Sequence, residues 1–416
     1  MGRLPFLIAG CVLIIAFDYY FINAILSVFK TWSAKTKSTV AKIYWLITII
    51  LIVGIFAGIF LNIFLSLRSV IMVAFFLITA CKIVMLPFLL IDDLRRLVIL
   101  LSRKFNAKPE PAAERTTGEP ISRSSFIVKA GLVAAAVPLT SLTWGITSGA
   151  YDYQVCRKTL ILPNLPAAFE GITMGQISDI HSGSFYNKTA VKGGIDMLLG
   201  EKPDFIFFTG DIVNDMATEM RDYQDIFSKV KAPLGVFSSL GNHDYGDYHF
   251  GKEASPAKAK NLKDVIKTHE LMGWDLLMNE HRRLKVNGEE IGILGIENWG
   301  MGRFPKYGRM DLATKDTDDL PVKLLLSHDP SHWRAEVLEK YPQIDAMFSG
   351  HTHGMQFGVR TEKYQWSPIE YIYKEWAGLY QEKQQQLYVN VGYGFLGYPG
   401  RVGILPEITI FTLKRA

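Results

Sequence analysis

Cysteine is scarce: three in 416 residues. Cys11 and Cys81 fall in apolar segments and Cys156 stands alone, so neither a disulfide framework nor a thiolate zinc site can be assembled. No G-x-x-x-x-G-K-S/T phosphate loop occurs, which removes a nucleotide-driven motor from consideration. Histidine is missing ahead of His181, and all nine lie between His181 and His353. Acidic side chains are sparse in residues 1–150, with 6 Asp and Glu against 15 Lys and Arg, a net +9. The remainder holds 34 acidic and 30 basic residues, a net −4. The positive excess thus belongs to the first part, and it does not argue for a nucleic-acid partner of the second.

What the first part has is long apolar runs. Leu4–Phe29 is broken only by Asp18, Ile43–Leu67 carries no charge over 25 residues, and Ser69–Ile91 is interrupted by Lys82 and Pro87. Each exceeds the roughly 20 residues that a helix needs to cross a bilayer. A cleaved signal peptide would explain one of them and not three. The segment Asp92–Arg123 begins amphipathically (DDLRRLVILLSRKF) and then becomes a basic stretch containing Pro, Glu and Ala. Ala130–Tyr151 is uncharged and rich in small residues. Its lead-in, SRSSFIVK, looks like a degraded twin-arginine export signal with Arg123 where two arginines are required. The expected organisation is three transmembrane helices in residues 1–101, a basic flexible linker in 102–125, a fourth transmembrane helix or signal anchor in 126–151, and an α/β domain in 152–416.

Lysines 30, 35, 37 and 42 crowd the first connection and a larger basic group crowds the third, whereas the second has only Arg68. Positive loops stay in the cytoplasm, which directs the C-terminal domain to the periplasm or exterior of a bacterial inner (cell) membrane. Asp18 and Lys82 are charges of opposite sign on the first and third spans. A structural pair, a role in substrate or ion passage, and snorkelling each account for them.

From Cys156 onward short apolar strands, such as Phe205–Thr209, Leu234–Leu240, Val322–Ser327 and Ala346–Ser349, alternate with helical stretches such as Val191–Leu199. Five strand ends run into ligand chemistry: MGQISDIH with Asp179 and His181, FIFFTGDIVND with Asp211, FSSLGNHD with Asn242 and His243, LLLSHDP with His328, and MFSGHTHG with His351 and His353. Parallel or mixed sheets present such loops along one edge, so distant ligands can converge. Seven oxygen and nitrogen donors without thiolate suit Mn, Fe or Zn. His243 sits beside a ligand, and Asp244 is placed to orient its ring by accepting a hydrogen bond.

DIH, GDIVN, GNHD, SHD and GHTH, in that order, resemble the calcineurin-like metallophosphoesterase family over about Thr173 to Leu413. Bacterial membrane-associated members are the most alike, sharing GHTHG followed by Gln and a late Pro406-Glu407-Ile408. The resemblance implies a four-layer αββα sandwich of two mixed β-sheets with a binuclear centre along the strand ends. Carried over by position, Asp179, His181 and His353 hold one metal ion, Asn242, His328 and His351 hold the second, and Asp211 bridges them. His243 matches the histidine that gives a proton to the leaving oxygen, and Asp244 stands where members have Asp or Glu. Two cations would clamp phosphate oxygens and lower the pKa of water between them. The expected partner is a phosphate mono- or diester, lipid-linked or soluble; the sequence gives no oligomeric state.

Around these motifs, Tyr245–Lys260 and Trp299–Arg309 read either as lids whose lysines and arginines meet phosphate or as solvated loops. Gln365–Tyr380 carries Trp366, Tyr371, Tyr373, Trp376 and Tyr380, a set suited to a bilayer interface, to core, or to a sugar platform. His249, His269, His281 and His332 match no ligand motif and read as surface or structural. By family likeness alone, Gly394–Arg401 brings Arg401 toward the site. A non-catalytic metal-binding sensor and a transporter with an appended domain are the other readings; an intact His243 and full ligand set oppose the first, and four spans without broken-helix pairs make a poor transporter.

Overall fold

The computed structural model describes residues 4–60, 65–105, 123–361 and 363–416. The chain divides into two units, Met1–Thr143 and Trp144–Ala416, a division inside the fourth apolar segment rather than after Tyr151.

The apolar runs form α1 (Leu4–Val28), α2 (Ala34–Phe60), α3 (Leu65–Phe105) and α4 (Arg123–Thr147). All four are long and apolar enough to cross a membrane. The third exceeds the expected span: 41 residues at about 1.5 Å each make it roughly twice as long as a hydrocarbon core is thick. Asp92 explains part of the extension, because it pairs with Arg95 at 3.0 Å and Arg96 at 2.8 Å on the next turn and sustains the helix. Residues 102–105 of the expected linker are therefore helical, and 106–122 lie outside the described residues. Asp18 is buried. Its carboxylate accepts from Tyr44 Oη at 2.8 Å and Thr48 Oγ1 at 2.7 Å and pairs with Lys82 Nζ, the structural arrangement among the three alternatives.

The second unit is a sandwich of two mixed six-stranded sheets. Its strands are β1 (Gln154–Leu162), β2 (Thr173–Ile177), β3 (Phe205–Thr209), β4 (Val236–Ser239), β5 (Asp275–Leu276), β6 (Glu280–Val286), β7 (Glu289–Gly295), β8 (Lys323–Leu326), β9 (Ala346–Ser349), β10 (Val359–Arg360), β11 (Gln365–Trp366), β12 (Gly378–Glu382), β13 (Gln385–Val389) and β14 (Glu407–Arg415). One sheet runs β1-β14-β2-β3-β4-β5 and the other β12-β13-β9-β8-β7-β6; β10 and β11 make a separate two-stranded ribbon. Period-two alternation builds the layers. Phe205 and Phe207 point into the inter-sheet core with Phe348, Leu324 and Leu326, while Ile206 and Phe208 face the outer layer. There they meet the helix Lys188–Gly200 through Val191, Ile195 and Leu198, the face expected from spacing. On the far side Leu325 and Met347 pack on Trp333. β2, β3 and β4 run parallel in one sheet, as do β8 and β9 in the other, so their C-terminal ends open on loops at one edge.

Candidate metal centre

Each predicted ligand follows one of those strand ends by two to four residues. The turns are tight, and five of the seven adopt left-handed backbone: Asp179 (φ 52°), His181 (48°), Asp211 (60°), His351 (73°) and His353 (50°). Non-glycine residues seldom sit there, and such strain persists only where surrounding contacts over-determine it. Asp244 is one such contact. Its buried carboxylate accepts the backbone N–H of Gly241 (2.8 Å), Asp211 (2.9 Å), Ile212 (2.9 Å) and Val213 (3.4 Å), tying the Asp211 turn to the Asn242 loop. This corrects the expectation that Asp244 orients the His243 ring. That ring is held through Nδ1 by the carbonyl of Asn214 at 2.6 Å. Tyr248 stacks on its face at 4.5 Å.

The predicted ligands fall into two buried groups. Asp179, His181 and His353 each offer an atom within 4.8 Å of the others, and so do Asp211, His328 and His351. Asp211 Oδ2 lies 3.6 Å from His181 Nε2 and 3.0 Å from His328 Nε2, between the two groups. Asn242 joins the second through Oδ1, 2.9 Å from His351 Nδ1.

The donor chemistry fits cations. His181 and His353 bring Nε2 to within 3.0 Å of Nε2, close enough for one cation to draw on both rings. The Thr209 carbonyl accepts from His328 Nδ1 at 2.7 Å, which turns Nε2 toward the Asp211 carboxylate. His328 Nε2 and His181 Nδ1 are buried without an aligned hydrogen-bond partner. Burial alone would depress His328, yet Asp211 outweighs it and lifts the imidazole to about 10. Burial would likewise raise Asp211, yet His328 and His243 hold its carboxyl well below the ordinary range. Asp179, also buried, is held low by His353. Opposed shifts of this kind mark a cluster short of positive charge, where protons stand in for ions.

Two contacts to His351 were not read from the sequence. Tyr373 Oη lies 2.8 Å from its Nε2, and Asp329 Oδ2 lies 3.5 Å from both groups. Asp329 was visible in SHDP, next to a ligand; Tyr373 was one ring among several in an aromatic stretch. Of its neighbours, Trp376 is core, Tyr380 turns its hydroxyl to the Trp376 and Ala377 amides, and Tyr371 is exposed. Arg401 does reach the centre, 3.3 Å from His353 Nδ1, but it is fully buried and spends its other donors on the carbonyls of Val391, Gly392, Gly394 and Ile404. Burial pushes its pKa down to about 10. The lid lysines are engaged elsewhere: Lys258 with Asp247, Lys260 with Asp264, and Lys252 with the Arg303 carbonyl. His269 and His332 are core rather than surface.

Residues 172–355 match the family model described as calcineurin-like phosphoesterase, and residues 3–150 match one described as probable calcineurin-like phosphoesterase, transmembrane domain. The metallophosphoesterase YkuE of Bacillus subtilis is 30% identical over 309 residues, which cover 71% of this chain and 98% of YkuE. The chain belongs to the calcineurin-like metallophosphoesterase family. A transmembrane protein with metallophosphoesterase domain from Danio rerio is 26% identical over 333 residues, covering 78% of this chain and 69% of that one. The UDP-2,3-diacylglucosamine pyrophosphatase LpxG of Chlamydia trachomatis is 26% identical over 322 residues, covering 65% and 93%. This metallophosphoesterase is thus a membrane-associated, metal-dependent phosphoester hydrolase.

Proposed function

We propose that the chain is a membrane-anchored, two-metal hydrolase of a phosphate mono- or diester, its catalytic unit facing the periplasm or exterior of a bacterial cell. The observation that carries this is the pair of buried donor groups with Asp211 between them. Asp179, His181 and His353 would hold one ion, Asn242, His328 and His351 the other, and Asp211 both. When bound, the ions supply positive charge for phosphate oxygens and acidify water.

The chain's own residues do the rest. His243 keeps a hydrogen on Nδ1 because the Asn214 carbonyl can only accept. The proton available to a leaving oxygen is therefore the one on Nε2. Asp244 acts through the backbone, holding the Asp211 turn, rather than on the substrate. Tyr373 and Asp329 bracket His351 and fix its ring. The lipid-linked alternative for the substrate gains support from LpxG, whose name specifies a diacylated sugar nucleotide, and from the membrane unit itself.

The test uses the full chain in detergent with paired chromogenic mono- and diesters, Mn added and then chelated. Metal-dependent cleavage of one of the pair establishes the hydrolase and the ester type. About two bound ions with no cleavage of either would transfer the weight to a sensor.

A further inference from the structure

The β10–β11 ribbon is built with two unlike faces. Val359 lies opposite Trp366 and Arg360 opposite Gln365, so alternate residues point opposite ways. Inward, Arg360 pairs with the buried Glu407, whose carboxylate also accepts from Tyr388 Oη at 2.6 Å and Thr409 Oγ1 at 2.7 Å. Glu407 is the acid of the late Pro-Glu-Ile segment, and holding the ribbon is what it does here. Outward, Phe357 (42% exposed), Val359 (46%) and the half-buried Trp366 share a face. Trp366 Nε1 reaches Tyr371 Oη at 3.5 Å, which extends the face to Tyr371 (77%) and Ile372 (69%). Among the described large apolar side chains of this unit, Tyr371 and Ile372 are the most exposed.

Two connections say what covers that face. On one side Phe357 bridges to Val402, and Val402 packs so tightly on Gly145 that a Cβ there would lie 2.6 Å from its Cγ2. Gly145 is in the last turns of the apolar helix α4, and its carbonyl accepts from Arg401 N at 3.1 Å. On the other side Tyr373, next to Ile372, holds His351 of the metal centre. The exposed Lys363 and Lys374 flank the face, as cations do on surfaces that meet anionic lipid.

We propose that the outer face of the ribbon is seated in the headgroup layer of the bilayer that α4 crosses. There it presents the mouth of the centre to a phosphoester carried by a lipid. This rests on the hydrolase reading only for the identity of the cargo; the seating does not need turnover.

The test places a fluorophore on a single cysteine at Tyr371 or, as a second position, Val359, with Cys11, Cys81 and Cys156 replaced by Ala. The full chain is reconstituted in vesicles of phosphatidylethanolamine and phosphatidylglycerol. Leu271, exposed on the helix Pro256–Met272, is the control. Lipids with brominated acyl chains should quench both ribbon positions several-fold more than Leu271, and iodide should do the reverse. Iodide quenching at the ribbon equal to that at Leu271 overturns the proposal, as does cross-linking of Tyr371 positions between copies in place of lipid quenching. Should the cysteine replacements not fold, hydroxyl-radical footprinting of the unmodified chain in the same vesicles reads protection of Tyr371 and Ile372 against Leu271. Lipid quenching without hydrolysis of any ester sinks the hydrolase and leaves the seated ribbon. Hydrolysis with a water-exposed ribbon does the opposite.

Discussion

Asp18 and Asp211 are both buried carboxylates, and the protein treats them in opposite ways. In the membrane unit Asp18 is answered completely from within the chain, by one lysine and two hydroxyls on neighbouring helices. At the sheet edges Asp211 accepts the His243 amide at 2.8 Å and otherwise faces imidazole nitrogens, His328 Nε2 at 3.0 Å and His181 Nε2 at 3.6 Å, atoms that could share a cation with it. A buried charge enclosed by its own partners holds helices together; one ringed by further donor atoms can share a cation with them. Burial alone does not separate structure from function. The hydrogen-bond account does.

The contrast is broken most directly at Asp211. Asp211→Asn should lower bound metal from about two ions per chain to one or none and abolish turnover; metal analysis that still finds both ions would refute the bridging role. His243→Ala should come next, keeping the ions while turnover falls roughly 10²- to 10⁴-fold. Loss of metal in that variant would mean that His243 is itself a ligand. On the membrane side, Asp18→Asn strands Lys82 and should cost about 3 kcal/mol, read as a lower melting temperature in detergent with ion content unchanged. The pair Asp18→Asn with Lys82→Met should recover much of it, and failure to recover would point to a role beyond packing.

The smallest effect concerns His269, buried against Phe208 and Trp274 and pushed by that burial to about 3. Its folded-state pKa lies below the unfolded value, so its contribution is present above about 6.5 and lost as pH falls toward 3. His269→Gln should flatten the acid limb of a stability-versus-pH curve in that window. An unchanged limb would mean that other groups dominate it.

Much of this was legible in the sequence because strand ends carry ligands in short, local words. SDIH, TGDI, GNHD, SHD and GHTH each set strand, turn and donors within a few residues, and period-two alternation in FIFFT and KLLL sorts the two faces. The length of α3 was underread because its apolar run stops at Ile91, whereas the amphipathic stretch from Asp92 continues the same helix. Asp244 was misread for a different reason: its partners are backbone amides from another turn, which no side-chain pattern announces. Tyr373 belongs with it, since 22 residues and a reversal of the chain separate it from His351. Local words are readable; pairings made by the fold are not.

The left-handed turns under Asp179, His181, Asp211, His351 and His353 carry one more implication. Their bending is done once, during folding, and held by amide-to-carboxylate ties such as those of Asp244. A cage bent in advance has little left to rearrange when its guest leaves. Stripping the ions with a chelator should therefore leave the sandwich standing, and restoring them should bring activity back without passing through an unfolded chain.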